Sequence, residues 1–85
     1  MWYVYVLYSE RGEKSYVGYT NDVERRLFEH NVSERRGFTL RYRPLTPIRV
    51  ESYATKQEAM AREKFLKTGR GREVVKGFIA QVIRN

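Results

Sequence analysis

Aromatic and β-branched residues alternate with polar ones in two short segments at the start of the chain. Residues 2–8 are rich in Tyr and Val and predict a strand, and residues 14–19 predict the strand that returns beside it. The polar residues 10–13 between them predict a turn, in which Gly12 supplies a permissive backbone. The pattern therefore predicts a β-hairpin.

The length of the hairpin turn decides which tyrosines share a face. Side chains alternate across a strand, so a two- or four-residue turn would place Tyr5 and Tyr16 on the same face. A three- or five-residue turn would separate them, because a shift of one residue moves every side chain to the opposite face.

Helical and strand patterns then follow one another. Asn21 and Glu24 have the spacing of a capping box, so we expect a helix from there to about His30. Residues 31–46 contain Gly and Pro among scattered arginines and predict a loop. Residues 48–53 alternate as a third strand does.

Two more helices are predicted in the last part of the chain. Thr55 and Glu58 form a second capping-box pattern, and this helix should end near Lys67 because Gly69 suits the residue just past a helix. An apolar stripe over residues 74–83 predicts a final amphipathic helix. The order β-β-α-β-α-α predicts an α+β fold.

Composition and charge narrow the function classes. The chain has 85 residues, which suits a single domain over residues 1–85, and it has no Cys. No apolar run is long enough to span a bilayer and no signal-peptide pattern is present, so we expect a cytoplasmic protein. The net charge is +7, with −2 in residues 1–34 and +9 in residues 35–85. This asymmetry favours binding to a polyanion such as nucleic acid. Anionic membrane surfaces and acidic proteins are attracted to the same positive charge, and a solvated surface that only keeps the protein soluble would have the same charge.

Four residues of the hairpin and first helix are candidates for chemistry on phosphates. Arg26 and His30 lie one turn apart on the predicted helix, where a guanidinium fork can bind phosphate and an imidazole can move a proton. Tyr5 and Tyr16 would add phenols nearby. The structural alternative is a solvated helix face on which Arg25 or Arg26 pairs with Asp22 or Glu29, together with tyrosines that only pack across strands.

Glu63 is the candidate metal ligand. Three of its four neighbours one turn away are apolar (Ala59, Met60 and Leu66, beside Lys67), so its carboxylate needs a cation or a hydrogen-bonding partner. Lys67 can supply an intrahelical ion pair. Mg²⁺ is the alternative, because it often uses one or two carboxylates and completes its shell with water and substrate phosphate. One His and no Cys argue against zinc.

Together these residues resemble the GIY-YIG nuclease superfamily, and in particular its small single-domain bacterial members of the uncharacterised UPF0213 kind. Residues 3–5, Tyr-Val-Tyr, stand where the family has Gly-Ile-Tyr, and residues 16–18, Tyr-Val-Gly, stand where it has Tyr-Ile-Gly. Arg26, His30 and Glu63 match the family's helix arginine, helix histidine and metal-binding glutamate. The resemblance extends along nearly the whole chain.

The resemblance implies a three-stranded antiparallel sheet flanked by helices, and hydrolysis of DNA phosphodiesters with Mg²⁺ or Mn²⁺. Tyr5 and Tyr16 would position or deprotonate the attacking water, Arg26 would stabilise charge at phosphorus, and His30 would assist through hydrogen bonding or proton transfer. Glu63 would hold the metal. Because a phenol with a reference pKa of about 10 is a poor base at neutral pH, we expect metal and arginine stabilisation to contribute more.

As a nuclease of this kind, the protein is expected to act on DNA, branched or single-stranded, as a monomer and with or without a protein partner. Its own basic residues would then hold the phosphate backbone, with strongly salt-dependent binding. The candidates are Arg25, Arg35, Arg36, Arg41, Arg43, Lys67, Arg70 and Arg72. The alternatives are a binding module with the nuclease fold and little activity, and a basic protein–protein adaptor with no role in nucleic-acid binding.

Overall fold

Three antiparallel strands form one sheet in the order β2-β1-β3, so the first strand lies in the middle and the other two are edges. The computed structural model describes residues 1–29, 31 and 44–84, except the side chain of Arg84. The predicted α+β fold and element order are confirmed. The elements are β1 (Trp2–Ser9), β2 (Lys14–Thr20), α1 (Val23–Phe28), β3 (Thr46–Tyr53), α2 (Lys56–Leu66) and α3 (Gly69–Arg84).

The hairpin has the four-residue turn that places the two tyrosines together. Ser9 pairs with Lys14 at its end, and Glu13 adopts a left-handed backbone with φ 52° to close the turn. In this register Tyr5 lies opposite Gly18, and Tyr16 lies two positions along β2 on the same face.

Each face of the sheet has its own apolar cluster. Val4 and Val6 of β1 are buried beneath α2 and α3, where Ala59, Leu66 and Val75 complete the cluster. The opposite face buries Tyr5, Leu7 and Leu45, with Tyr16 and Leu27 packed against them. Helix α1 therefore covers one face, while α2 and α3 cover the other. No helix in the described ranges is long and apolar enough to cross a membrane.

The first helix begins one residue later than predicted. Asp22, not Asn21, is the N-cap: its Oδ1 accepts a hydrogen bond from the Arg25 backbone amide at 3.0 Å. The buried Thr20 hydroxyl accepts one from the Asp22 amide at 3.0 Å, which sets Asp22 in the extended conformation that a cap requires. The helix ends at Phe28, and the predicted end at His30 lies outside the described residues.

The third strand begins earlier than predicted, at Thr46 instead of residue 48. Pro47 is accommodated because β3 is an edge strand, and the pairing shifts register between Val6 and Leu7 to absorb one extra residue. Of the predicted loop over residues 31–46, residues 32–43 lie outside the described part of the chain.

The capping box of α2 is confirmed, but the final helix is longer than predicted. The Thr55 hydroxyl and the Glu58 carboxylate each accept a hydrogen bond from the other's backbone amide. Gly69, expected just past α2, is instead the first residue of α3. The Thr68 hydroxyl accepts a hydrogen bond from the Gly71 amide at 3.1 Å, and a Cβ at Gly71 would overlap the backbone at the end of α2.

Candidate functional site

A cleft of about 250 Å³ opens at the outer edge of β2 and collects side chains from both faces of the sheet. Because β2 is an edge strand, residues of α1 on one face and of α2 on the other can meet beside it. The cleft is lined by Tyr5, Tyr16, Val17, Gly18, Tyr19, Arg26, Glu63 and Lys67. Four of the five residues predicted to be catalytic are therefore brought together.

Gly18 determines where the phenol of Tyr5 lies. A Cβ at Gly18 would overlap the Tyr5 hydroxyl and would stand 2.5 Å from its Cζ, so only glycine leaves room for the ring. Tyr5 is buried, and its hydroxyl accepts a hydrogen bond from Arg26 Nε at 3.3 Å. The pairing of β1 with β2 and the absence of a side chain at Gly18 thus allow the Tyr5 hydroxyl to contact the Arg26 guanidinium.

Arg26 is oriented from a second side by its own helix. Its Nη1 donates to Glu29 Oε1 at 3.0 Å, which is the ion pair expected of a solvated helix face. Arg26 nevertheless lines the cleft. Its ion pair on the helix surface is therefore compatible with a role in binding phosphate. Tyr16 lies beside it, with its hydroxyl oxygen buried.

Glu63 enters the cleft from α2. Its side chain is 19% exposed, and Lys67 Nζ donates to its Oε2 at 3.0 Å, as predicted for the intrahelical pair. Lys67 is 56% exposed and can move into solvent, so the pair does not close the carboxylate to a metal. The described residues contain no group of three or more His, Cys, Asp or Glu that could hold a metal ion.

A charged network that the sequence analysis did not identify fixes the rotation of α2. Glu51 Oε1 and Oε2 accept hydrogen bonds from Arg62 Nε at 2.8 Å and Nη2 at 3.1 Å. Tyr53 Oη donates to Glu51 at 2.9 Å and Arg49 Nε donates at 3.2 Å. These bonds, led by the one from Arg62, lower the pKa of Glu51 to about 2. Because Arg62 precedes Glu63, holding one also orients the other.

The remaining predicted residues lie in different places. Arg25 and Arg70 are exposed and do not line this cleft. Arg72 lines a second, larger groove of about 660 Å³ beside the cleft, which neither Arg25 nor Arg70 lines. Five predicted residues lie outside the described ranges: His30, Arg35, Arg36, Arg41 and Arg43.

Asn31 is a structural residue that the sequence did not single out. Its Nδ2 donates to the Leu45 carbonyl at 2.9 Å, and its Oδ1 accepts from the Leu45 amide at 2.7 Å. The side chain therefore ties the segment after α1 to the segment that leads into β3. An isolated Asn before a loop gave no signal of this long-range contact.

Comparison with known proteins agrees with the fold. The chain is 42% identical to a UPF0213 protein of Halobacterium salinarum, over 79% of this chain and 86% of that protein. It is also 42% identical to one of Bacillus pumilus, over 78% of this chain and 66% of that protein. The solution NMR structure of a UPF0213 protein from Bacillus halodurans superimposes with a TM-score of 0.54 at 29% identity, covering 91% of this chain and 84% of the other.

A family model places the cleft in a known domain. The model of the GIY-YIG catalytic domain matches residues 1–74, which include the hairpin, α1, β3 and α2 and so every described residue that lines the cleft. The chain belongs to the GIY-YIG family.

Proposed function

We propose that this protein is a divalent-metal-dependent endonuclease that hydrolyses DNA phosphodiester bonds in the cleft at the β2 edge. The observation that carries the proposal is the convergence of Tyr5, Tyr16, Arg26 and Glu63, from the hairpin and two helices, on one small space. Membership of the GIY-YIG family supports a nucleic-acid substrate. A guanidinium, two phenols and a carboxylate are the groups that a phosphodiester, a water molecule and a metal would need.

Arg26 would bind the scissile phosphate. A planar guanidinium can offer two parallel N–H groups to phosphate oxygens, and the contacts to Tyr5 and Glu29 hold it in place before substrate arrives. A donor that is already oriented stabilises the charge that develops on the phosphate oxygens without further reorganisation. Arg26 would therefore bind the transition state better than the ground state.

Tyr5 and Tyr16 would orient the attacking water. Both hydroxyls belong to one face of the hairpin, and Tyr5 is in hydrogen-bond contact with the arginine that would hold the phosphate. A phenol can accept a hydrogen bond from water and direct its lone pair toward phosphorus. The fixed position of the Tyr5 ring over Gly18 makes this orientation reproducible.

Glu63 fits a magnesium ion that also contacts substrate. Its carboxylate and the neighbouring phenols are hard oxygen donors, and one carboxylate suffices for an ion that keeps waters and shares phosphate oxygens. When bound, such an ion polarises the phosphate and favours departure of the leaving oxygen. Glu63 would release Lys67, whose exposed ammonium could then contact a neighbouring phosphate.

A second candidate function is a nucleic-acid-binding module with this fold and little activity, acting with a partner. The observation that favours it is the pairing of Glu63, the one carboxylate among the residues that line the described cleft, with Lys67. If that ion pair persisted with DNA bound, the cleft would hold phosphate without a metal.

Cleavage of single-stranded, duplex and branched DNA, each with Mg²⁺, with Mn²⁺ and with EDTA, tests the proposal. We expect metal-dependent cleavage by the wild type, and a loss of about 100- to 1000-fold in Arg26→Gln, the range seen when one donor to the transition state is removed. Glu24→Gln changes an exposed α1 residue outside the cleft and serves as the matched control.

Three outcomes separate the alternatives. Cleavage that is equal in wild type and Arg26→Gln would contradict the site. DNA that binds but is not cleaved with either metal would support the binding module. Failure to bind any of the three DNAs at low salt would contradict both nucleic-acid functions and would favour the protein–protein adaptor.

A further inference from the structure

A larger groove, of about 660 Å³, continues from the cleft between the start of β2 and α3. Tyr16, Val17 and Lys67 line both spaces, so the groove leads directly into the candidate site. Its other lining residues come from the hairpin turn, the start of β2, the end of α2 and the first three turns of α3.

The rim of the groove is cationic. Lys14, Lys67, Arg72 and Lys76 contribute four positive charges, of which that of Lys67 is paired with Glu63, and Glu13 contributes one negative charge. Within the described residues, Lys14 and Arg72 make no ion pair, and the pair that Lys76 forms with Glu73 is long, at 3.9 Å between exposed groups. This surface has an excess of positive charge that folding leaves available to a polyanion.

The floor of the groove is apolar. Leu66 and Val75 lie beneath it as buried core residues with almost no exposed surface, and the half-buried Val17 and Ile79 pack against that core and present apolar surface to the groove. A plain phosphate-binding surface would need no such floor. The combination of a cationic rim and an apolar floor suits a ligand with charged and apolar parts alternating along its length.

We propose that this groove binds an unpaired stretch of nucleic acid that runs into the cleft, which rests on the endonuclease function proposed above. An unpaired strand exposes its phosphates to the rim and its sugars and bases to the floor. Duplex DNA keeps its bases stacked inside and presents mainly phosphates outward, so the half-buried Val17 and Ile79 would have little to contact. The substrate class is then DNA with a single-stranded segment beside the scissile bond.

Binding measured without metal tests the groove separately from catalysis. Fluorescence anisotropy of a labelled oligothymidylate and of a duplex of equal length, in EDTA over a series of salt concentrations, gives the dissociation constant and its salt slope. Each lost phosphate contact to a single strand should lower the slope of log K against log salt by about 0.7. We expect this change in Arg72→Gln and in Lys76→Gln.

Lys64→Gln is the matched control, because Lys64 is an exposed residue of α2 that lines neither the groove nor the cleft. The expected result is preference for the oligothymidylate, lost in the groove variants and kept in the control. Equal slopes in all variants, a preference for duplex, or equal displacement by polyglutamate would overturn the proposal. If the groove variants weaken binding but the wild type does not cleave DNA, the endonuclease proposal is refuted and the groove proposal stands. If the groove variants cleave as well as the wild type does, the groove proposal is refuted and the endonuclease proposal stands.

Discussion

Replacing Glu51 by Gln should remove a large part of the stability of the fold and should do so only above acid pH. Glu51 is 12% exposed and accepts hydrogen bonds from Arg62, Tyr53 and Arg49. A carboxyl whose pKa falls from 4.5 to about 2 on folding stabilises the folded state at neutral pH by about 3 kcal/mol, since each pH unit corresponds to about 1.4 kcal/mol. Glutamine keeps the shape of the side chain and, like the protonated carboxyl, is neutral and has one accepting oxygen, so the variant removes the charge together with the hydrogen bonds to the other oxygen.

The sign of the pH dependence follows from the lowered pKa of Glu51. The carboxylate contributes its full stabilisation above about pH 4.5, and the contribution is lost as the pH falls toward 2, because the folded protein then takes up a proton that the unfolded chain bound earlier. The difference between wild type and Glu51→Gln should be about 3 kcal/mol at pH 7 and should shrink steadily below pH 4.5.

Urea unfolding followed by far-ultraviolet circular dichroism at pH 7, 5 and 3 measures the difference. Glu73→Gln is the control, since Glu73 is exposed and its pair with Lys76 is long, so its effect should stay within about 0.5 kcal/mol at each pH. A Glu51→Gln effect as large at pH 3 as at pH 7 would show that packing, not charge, is lost. No effect at pH 7 would refute the network.

Two other positions, Gly18 and Asn31, make testable contributions to stability. Gly18→Ala should destabilise the fold by about 1–3 kcal/mol in urea and displace the Tyr5 ring, because the added methyl overlaps the phenol; an unchanged midpoint together with an unmoved Tyr5 ring resonance in NMR spectra would be inconsistent with this contact. Asn31→Ala should cost about 1–3 kcal/mol, because both polar groups of the Leu45 backbone lose their partner. Asn31→Asp should cost less, since it keeps the acceptor, and equal losses in the two variants would contradict this explanation.

Much of the fold could be predicted because it depends on local patterns. The alternation of residues 2–8 and the capping box at Thr55 are encoded within a few positions, and both elements were predicted with small errors at their ends. Errors arose where neighbours compete for a role. Asn21 and Asp22 are both good caps, and the buried hydroxyl of Thr20 decides between them.

Four of the predicted site residues, Tyr5, Tyr16, Arg26 and Glu63, line one cleft, but their arrangement there could not be predicted from the sequence. Tyr5 and Tyr16 were expected on one face only if the turn had an even number of residues, and the register confirms this. Other features of the site join residues that are distant in sequence. They are the contact of Tyr5 with Gly18, the hydrogen bonds from Arg62 to Glu51, and the residues that line both the cleft and the groove. No periodicity or spacing in the sequence encodes such contacts, so only the three-dimensional structure shows them.

The rate of DNA cleavage as a function of Mg²⁺ concentration, in wild type and Glu63→Gln, tests whether the cleft at the β2 edge cleaves DNA with a metal held by Glu63. Glutamine can still accept the hydrogen bond from Lys67, so the midpoint of urea unfolding should stay close to that of wild type. The dissociation constant for DNA in EDTA should change by less than about twofold. We expect a wild-type rate that rises to saturation with Mg²⁺ and no cleavage by Glu63→Gln at any Mg²⁺ concentration. Equal rates in the two proteins would show that Glu63 does not hold the metal.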